Sequence, residues 1–181
     1  MSRQVGITVA EVQAVVDRVN EVAAPAGFGV LLSKISVEWV FANLGGEIRH
    51  YLRIVDGELV LTNAERAETV EQLVFSAPLL SDMEKFLTYH FCNSLRRRRR
   101  LRMLLAVSIP VTIDKAGDGF SIVKSEGLGY ELHCRGESVV RRGDDVNLVE
   151  FSHYAALTPE GIRASALDPE GKPHFMVDTR T

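Results

Sequence analysis

Only two cysteines occur in 181 residues, which excludes a disulfide framework and suits a reducing compartment. Six prolines and 14 glycines are too few for a collagen-like or linker-dominated chain. Long apolar runs are also missing. The longest, residues 103–113, is broken by Ser108, Pro110 and Thr112, and a bilayer crossing needs roughly 20 apolar residues. No uninterrupted apolar segment follows the Met-Ser-Arg-Gln start, so no secretory signal is read and a cytoplasmic protein without membrane contact is expected. What is present is ordinary globular material, 46% hydrophobic and 25% charged. One domain covering residues 1–181 is expected, large enough to bury roughly 70% of the unfolded chain's surface without metal or disulfide staples.

Net charge is low, −3 from 21 basic and 24 acidic residues, but unevenly placed. Arg96, Arg97, Arg98, Arg99, Arg100 and Arg102 lie in one segment, leaving 15 bases against 24 acids elsewhere, a net of −9. Nucleic-acid binders spread basic residues over a face and tend to a pI above about 9. Here the pI is near 6.0, so the arginine run alone argues weakly for DNA or RNA.

Helix and strand periods alternate along the chain. Residues 8–23 read as a helix: Thr8 and Glu11 have capping-box spacing, and Val9, Val12, Val15, Val16, Val19 and Val22 form one stripe before Pro25 and Gly27. Strands follow at 29–35, 37–44, 47–55 and 58–62, with Gly45-Gly46 and Asp56-Gly57 as hairpin turns, then a loop or short turn over 63–71 and a strand at 72–76. A second helix is expected to start at a Ser81–Glu84 capping box, with Met83, Phe86, Leu87, Phe91 and Leu95 on one side and arginines in its last turns. Short strands are expected at 108–113, 120–124, 130–134 and 138–141. Asp144 or Asp145 caps a third helix, Thr158-Pro159 opens a fourth, and residues 174–177 form a last extended piece. This pattern predicts an α+β fold, an antiparallel sheet of hairpins with about four helices packed on it.

Patterns that carry chemistry are scarce in this chain. There is no Walker sequence and no strand followed by GxGxxG. His90 and Cys92 lie about 200° apart on a helix, and His133 and Cys134 point to opposite faces of a strand, so neither pair supplies two ligands to one ion. Ser152 and His153 diverge by about 100° on a helix and do not form a nucleophile–base pair. No catalytic residue, cofactor site or metal site is read. The arginine run has three readings: a solvated helix end whose stems pack while the heads stay wet, a surface for an acidic protein, or a site for nucleic acid or an anionic membrane.

Several patches in colinear order resemble a known family. They are Gly45-Gly46-Glu47-Ile48-Arg49 with Tyr51, then Gly57 and Glu65-Arg66; Met83-Glu84-Lys85-Phe86-Leu87 through Phe91 to Ser94, Leu95 and Arg96; and Phe120-Ser121-Ile122. Leu148-Val149-Glu150-Phe151-Ser152-His153-Tyr154 follows, then Asp168 with Glu170-Gly171-Lys172-Pro173 and Phe175. Together they resemble the immunity proteins that neutralise the tuberculosis necrotizing toxin, an NAD-hydrolysing toxin of mycobacteria and related bacteria. The chain departs from that pattern at Cys92-Asn93, Arg98, Arg100, Arg102 and His174.

The resemblance implies a stoichiometric antitoxin that binds a toxin's catalytic domain in the cytoplasm and blocks entry of NAD, with no enzymatic step of its own. Contacts are expected from polar residues on hairpin tips and loops, Asp56, Glu58, Glu65 and Arg66, and separately from the helix end Arg97, Arg98, Arg99 and Arg100. Self-association through an open sheet edge is compatible with the same fold. The alternative is a nucleic-acid-associated or regulatory protein using the Arg96–Arg102 patch.

Overall fold

The computed structural model describes residues 6–33, 36–65, 70–125, 129–137 and 139–180. Its first helix, α1 (Val9–Ala26), is closed at the start by the reciprocal Thr8–Glu11 box. Glu11 N–H donates to Thr8 Oγ1 at 3.3 Å, and Thr8 N–H to Glu11 Oε2 at 2.9 Å. Val12, Val15, Val16, Val19 and Val22 are buried. The helix runs three residues past the expected end, through Pro25, and stops at Gly27, whose φ of 95° lets its N–H reach the carbonyls of Ala23 and Ala24.

Strands β1 (Phe28–Ser33), β2 (Glu38–Asn43), β3 (Ile48–Val55), β4 (Glu58–Glu65) and β5 (Gln72–Ala77) form a meander, and a second set, β7 (Phe120–Lys124), β8 (Tyr130–Cys134) and β9 (Val140–Gly143), completes it. Together they make one eight-stranded sheet in the order β1-β2-β3-β4-β5-β9-β8-β7, antiparallel throughout. The seam between the two halves is short: Phe75 pairs with Gly143 and Ser76 with Arg142. A Cβ on Gly143 would stand 2.7 Å from the Val74 carbonyl oxygen, so the strands close only around a residue without a side chain. A two-stranded ribbon lies apart, β6 (Leu104–Leu105) on β10 (Met176–Val177).

Helix α2 (Leu80–Arg98) lies between α1 and α4 (Pro159–Leu167) on one face of the sheet, with α3 (Asp145–Tyr154) beside it. That face carries the core. Trp39, Phe41, Leu52, Leu59, Leu61, Phe75 and Leu132 are sealed from water, and aromatic contacts weld sheet to helices. Phe75 stacks on Phe86 at 4.3 Å and meets Phe151 at 4.9 Å, while Phe91 lies 5.0 Å from both Phe28 and Phe41.

Several expectations are corrected. Helix α2 starts at Leu80 with Leu79 as its N-cap, and no Ser81–Glu84 box forms. Its acids serve tertiary pairs instead: Glu84 takes a two-pronged bond from Arg18 at 2.6 and 2.7 Å, and Asp82 holds the buried Arg141 at 2.7 and 2.8 Å. Residues 108–113 are not a strand. Pro110 lacks a ladder donor, and the Lys115 ammonium, at the end of a 3₁₀ turn (Ile113–Lys115), takes up the carbonyls of Ser108 and Pro110. Strand β4 extends to Glu65, past the loop expected from residue 63. Lys34, Ile35 and Ser138, assigned to strands above, lie outside the described residues. The caps at Asp144 and Thr158 form as expected, to the N–H groups of Asn147 and Gly161.

Candidate functional site

The interior polar groups are committed to structure. His50 and His90 face each other with Nε2 atoms 3.3 Å apart, their rings edge-on at 4.7 Å among Phe28, Phe86 and Phe91. Burial pushes His50 down to about 3, helped by His90, and His90 down to about 4, helped by the Arg97 charge. A neutral pair results, one ring donating to the other. Burial raises the Glu150 carboxyl to about 7, against a 3.2 Å hydrogen bond donated by the Tyr89 hydroxyl. Ser152 donates to the Val149 carbonyl and accepts from Gly117 N–H, whereas His153 turns to the Lys115 carbonyl, so the two never meet. Cys92 is sealed in the core and raised to about 12. Among the described residues, no three His, Cys, Asp or Glu side chains converge on a metal position.

The surface residues singled out in the sequence fall at two opposite ends of the sheet. Asp56 and Glu58 sit at the β3–β4 hairpin tip. Asp56 (φ 51°) and Gly57 (φ 82°) make the doubly left-handed turn that Asp-Gly favours. Asp56 is exposed, while Glu58 is half-buried and holds Arg142 at 2.9 and 3.1 Å. Glu65 closes the other end of β4, opposite Ile48. Seven strand residues on, it lies about 23 Å from Glu58 at the usual rise of a β-strand. Arg66 lies outside the described residues.

The arginine end of α2 lies at the Glu65 end. Arg97 and Arg98 line a groove of about 400 Å³ together with Ala26, Phe28, Asn43 and Ile48. The run divides by direction. Arg96 is fully buried, head included, which departs from the expectation that the guanidinium groups stay wet. It donates four bonds, all to carbonyls: Arg102 at 2.6 Å, Ala166 at 2.8 Å, Asp168 at 2.6 Å and Pro169 at 2.8 Å. Burial without a carboxylate partner pulls its pKa below the usual arginine value.

Arg97, Arg98, Arg99, Arg100 and Arg102 are exposed. The helix closes through them: Leu101 N–H reaches the Arg96 carbonyl at 2.9 Å and Arg100 N–H the Arg97 carbonyl at 3.1 Å. This Schellman closure needs a left-handed residue, and Arg100 supplies it at φ 58° where glycine is the usual choice. Elsewhere Arg18, Arg53, Arg141, Arg142, Arg163 and Arg180 are all paired with carboxylates. Among the described residues, no carboxylate pairs with Arg98, Arg99, Arg100 or Arg102. The inward role of Arg96, and the ion pairs that Arg53 and Arg142 make across strands, were not visible in the sequence. Both depend on register and on the path of the C-terminal segment.

The described residues form a sheet-and-helix body with charged groups at both ends of the sheet, and family comparison gives it a context. A family model described as Immunity protein 61 matches residues 22–174. The chain belongs to the Immunity protein 61 family. Two curated relatives, "Immunity factor for TNT" of Mycobacterium tuberculosis (strain ATCC 25618 / H37Rv) and "Immunity factor for TNT homolog" of Mycobacterium bovis (strain BCG / Pasteur 1173P2), are each 32% identical over 139 residues, 75% of this chain and 76% of theirs. A solved structure titled "Rv3902c from M. tuberculosis" superposes with a TM-score of 0.78 at 25% identity, covering 98% of both chains. The Immunity protein 61 match takes in the colinear patches between residues 45 and 173.

Proposed function

We propose that this Immunity protein 61 member is a cytoplasmic antitoxin. It binds the catalytic domain of an NAD-hydrolysing toxin of the TNT type and inhibits it one-to-one by covering the entrance to its active site. Membership of the family, with relatives named as immunity factors for TNT, carries the reading. Inhibition by occlusion asks for no nucleophile, metal or cofactor, only a fixed surface and a complementary interface of roughly 1,200–2,000 Å². The eight-stranded sheet backed by helices offers such a surface, and residues 1–181 are proposed to act as one domain. Two patches supply its charged contacts, Asp56 and Glu58 at the hairpin tip, and Glu65 with Arg97 to Arg100 at the other end; Arg66, outside the described residues, is a further proposed contact. A nucleic-acid role gains nothing from the fold, since among the described residues the exposed arginine cluster is one helix end on a body that is otherwise net −9. The test is titration of the purified TNT catalytic domain with this protein while NAD hydrolysis is followed. Hydrolysis is expected to vanish at one equivalent, and full hydrolysis at a tenfold excess would refute the pairing.

A further inference from the structure

The sheet has a second face on which, among the described residues, no helix packs. Register places Leu31, Val40, Tyr51, Thr62 and Leu73 side by side across β1 to β5 on that face, back to back with Trp39, Leu52 and Leu61 of the core. This row carries no charge, and Leu31 at its edge is 68% exposed. The next row, Glu38, Arg53, Val60, Ser76, Arg142 and Glu131, is charged but internally satisfied. Arg53 donates to Glu38 at 2.6 Å and to Glu71 at 2.8 Å, with its guanidinium 4.9 Å from the Tyr51 ring centre. Arg142 bridges Glu58 and Glu131. Side chains fixed in this way lose little entropy on docking, and an uncharged strip beside polar ladders has the anatomy of a protein interface.

Where the strip meets the hairpin tip it deepens into a groove of about 510 Å³. Val55, Val60 and Leu73 give it an aliphatic lining, and Asp56, Glu58 and Glu71 an anionic rim. Of the rim acids Glu58 is paired with Arg142, which Glu131 also holds, and Glu71 with Arg53, while among the described residues no cation pairs with Asp56. Val55, 44% exposed, is apolar surface open to water at that rim.

We infer that this open face, anchored at the groove between Asp56 and Glu71, is where the toxin domain seats, and that the toxin presents there an aliphatic or aromatic side chain flanked by lysine or arginine. The inference rests on the antitoxin reading and adds the docking face and the partner's chemistry. An apolar anchor fills the aliphatic lining, and a flanking cation meets a rim whose acids outnumber its bases. The acidic body, net −9 outside the arginine run, steers the same kind of partner.

The test measures binding and inhibition of the TNT catalytic domain by wild type, by Val55→Lys/Asp56→Asn, which keeps a residue suited to the left-handed turn, and by Ile113→Lys as a distant charge control. The double variant is expected to bind at least tenfold more weakly with an unchanged melting midpoint, and the control to bind as wild type does. Amide exchange on the wild-type complex gives a readout without mutation, with protection expected over residues 55–62 and 71–73. Equal inhibition by wild type and double variant, or protection confined to another face, would overturn the inference and leave the antitoxin reading standing. A wild-type protein that neither binds nor inhibits the domain would remove both. A dimer of this chain alone that the double variant abolishes would assign the face to a second copy and also overturn it.

Discussion

Replacing Arg96 by methionine removes a buried cation while keeping most of the stem's volume. The side chain is fully buried and donates four bonds of 2.6–2.8 Å to the carbonyls of Arg102, Ala166, Asp168 and Pro169. Hydrogen bonds to a charged group contribute about 1.5–3 kcal/mol each, so a simple sum would reach about 6–12 kcal/mol. That sum is too large, because the desolvation cost of the cation disappears with it and the chain around Asp168 can relax toward water. A net loss of about 3–5 kcal/mol is expected, a large share of the roughly 5–15 kcal/mol that holds a domain folded. With a urea slope of about 2 kcal/mol per molar, the midpoint should fall by about 1.5–2.5 M. Arg96→Lys should recover only part of this, since an ammonium cannot span the carbonyls a guanidinium reaches. Urea denaturation followed by circular dichroism measures both variants. A methionine variant within 1 kcal/mol of wild type, or a lysine variant as stable as wild type, would refute the reasoning.

Three further outcomes are expected. His50 and His90 titrate in the fold at about 3 and about 4, below the unfolded value of about 6.5, so their contribution is complete above pH 6.5 and is lost as pH falls toward 4. Glu150, raised to about 7, works oppositely: its contribution is present below about 4.5 and lost as pH rises through 7. Between pH 6 and 5 wild type should therefore lose at most about 1.4 kcal/mol per pH unit and Glu150→Gln about 2.7, by urea melts across pH; equal slopes would contradict the assignment. Gly143→Ala, which sets a methyl 2.7 Å from the Val74 carbonyl, should cost about 1–3 kcal/mol and speed amide exchange in the β5–β9 seam; unchanged exchange there would count against the crowding. Arg100→Gly should stabilise by about 0.5–1 kcal/mol by relieving the left-handed φ, whereas Arg100→Ala should not; identical melting of the two variants would remove strain as the reason.

What the sequence made legible were features with a local cause. The Thr8–Glu11 box, the Asp56-Gly57 turn and the Asp144 and Thr158 caps each depend on residues within one or two turns and appear as read, and the valine stripe of α1 is buried from Val12 to Val22, with Val9 in the first turn exposed. The errors arise where a distant partner outbids a local preference. Glu84 had the spacing to cap α2 but is taken by Arg18, 66 residues away in sequence. Residues 108–113 had strand composition, yet Pro110 supplies no ladder donor and Lys115 ties up the neighbouring carbonyls. The arginine run read as one patch, whereas Arg96 turns inward to a segment some 70 residues further on. Asp56 and Glu58 were legible as hairpin-tip residues, but the open face behind them was not, because an uncharged row across five strands exists only once register is fixed.

The most direct measurement is a stoichiometric titration of the TNT catalytic domain with this protein, following NAD hydrolysis and, in parallel, the mass of the complex. Hydrolysis should decline linearly to zero at one equivalent, with a single one-to-one species. Undiminished hydrolysis and two separate species at tenfold excess would contradict inhibition by occlusion of that toxin.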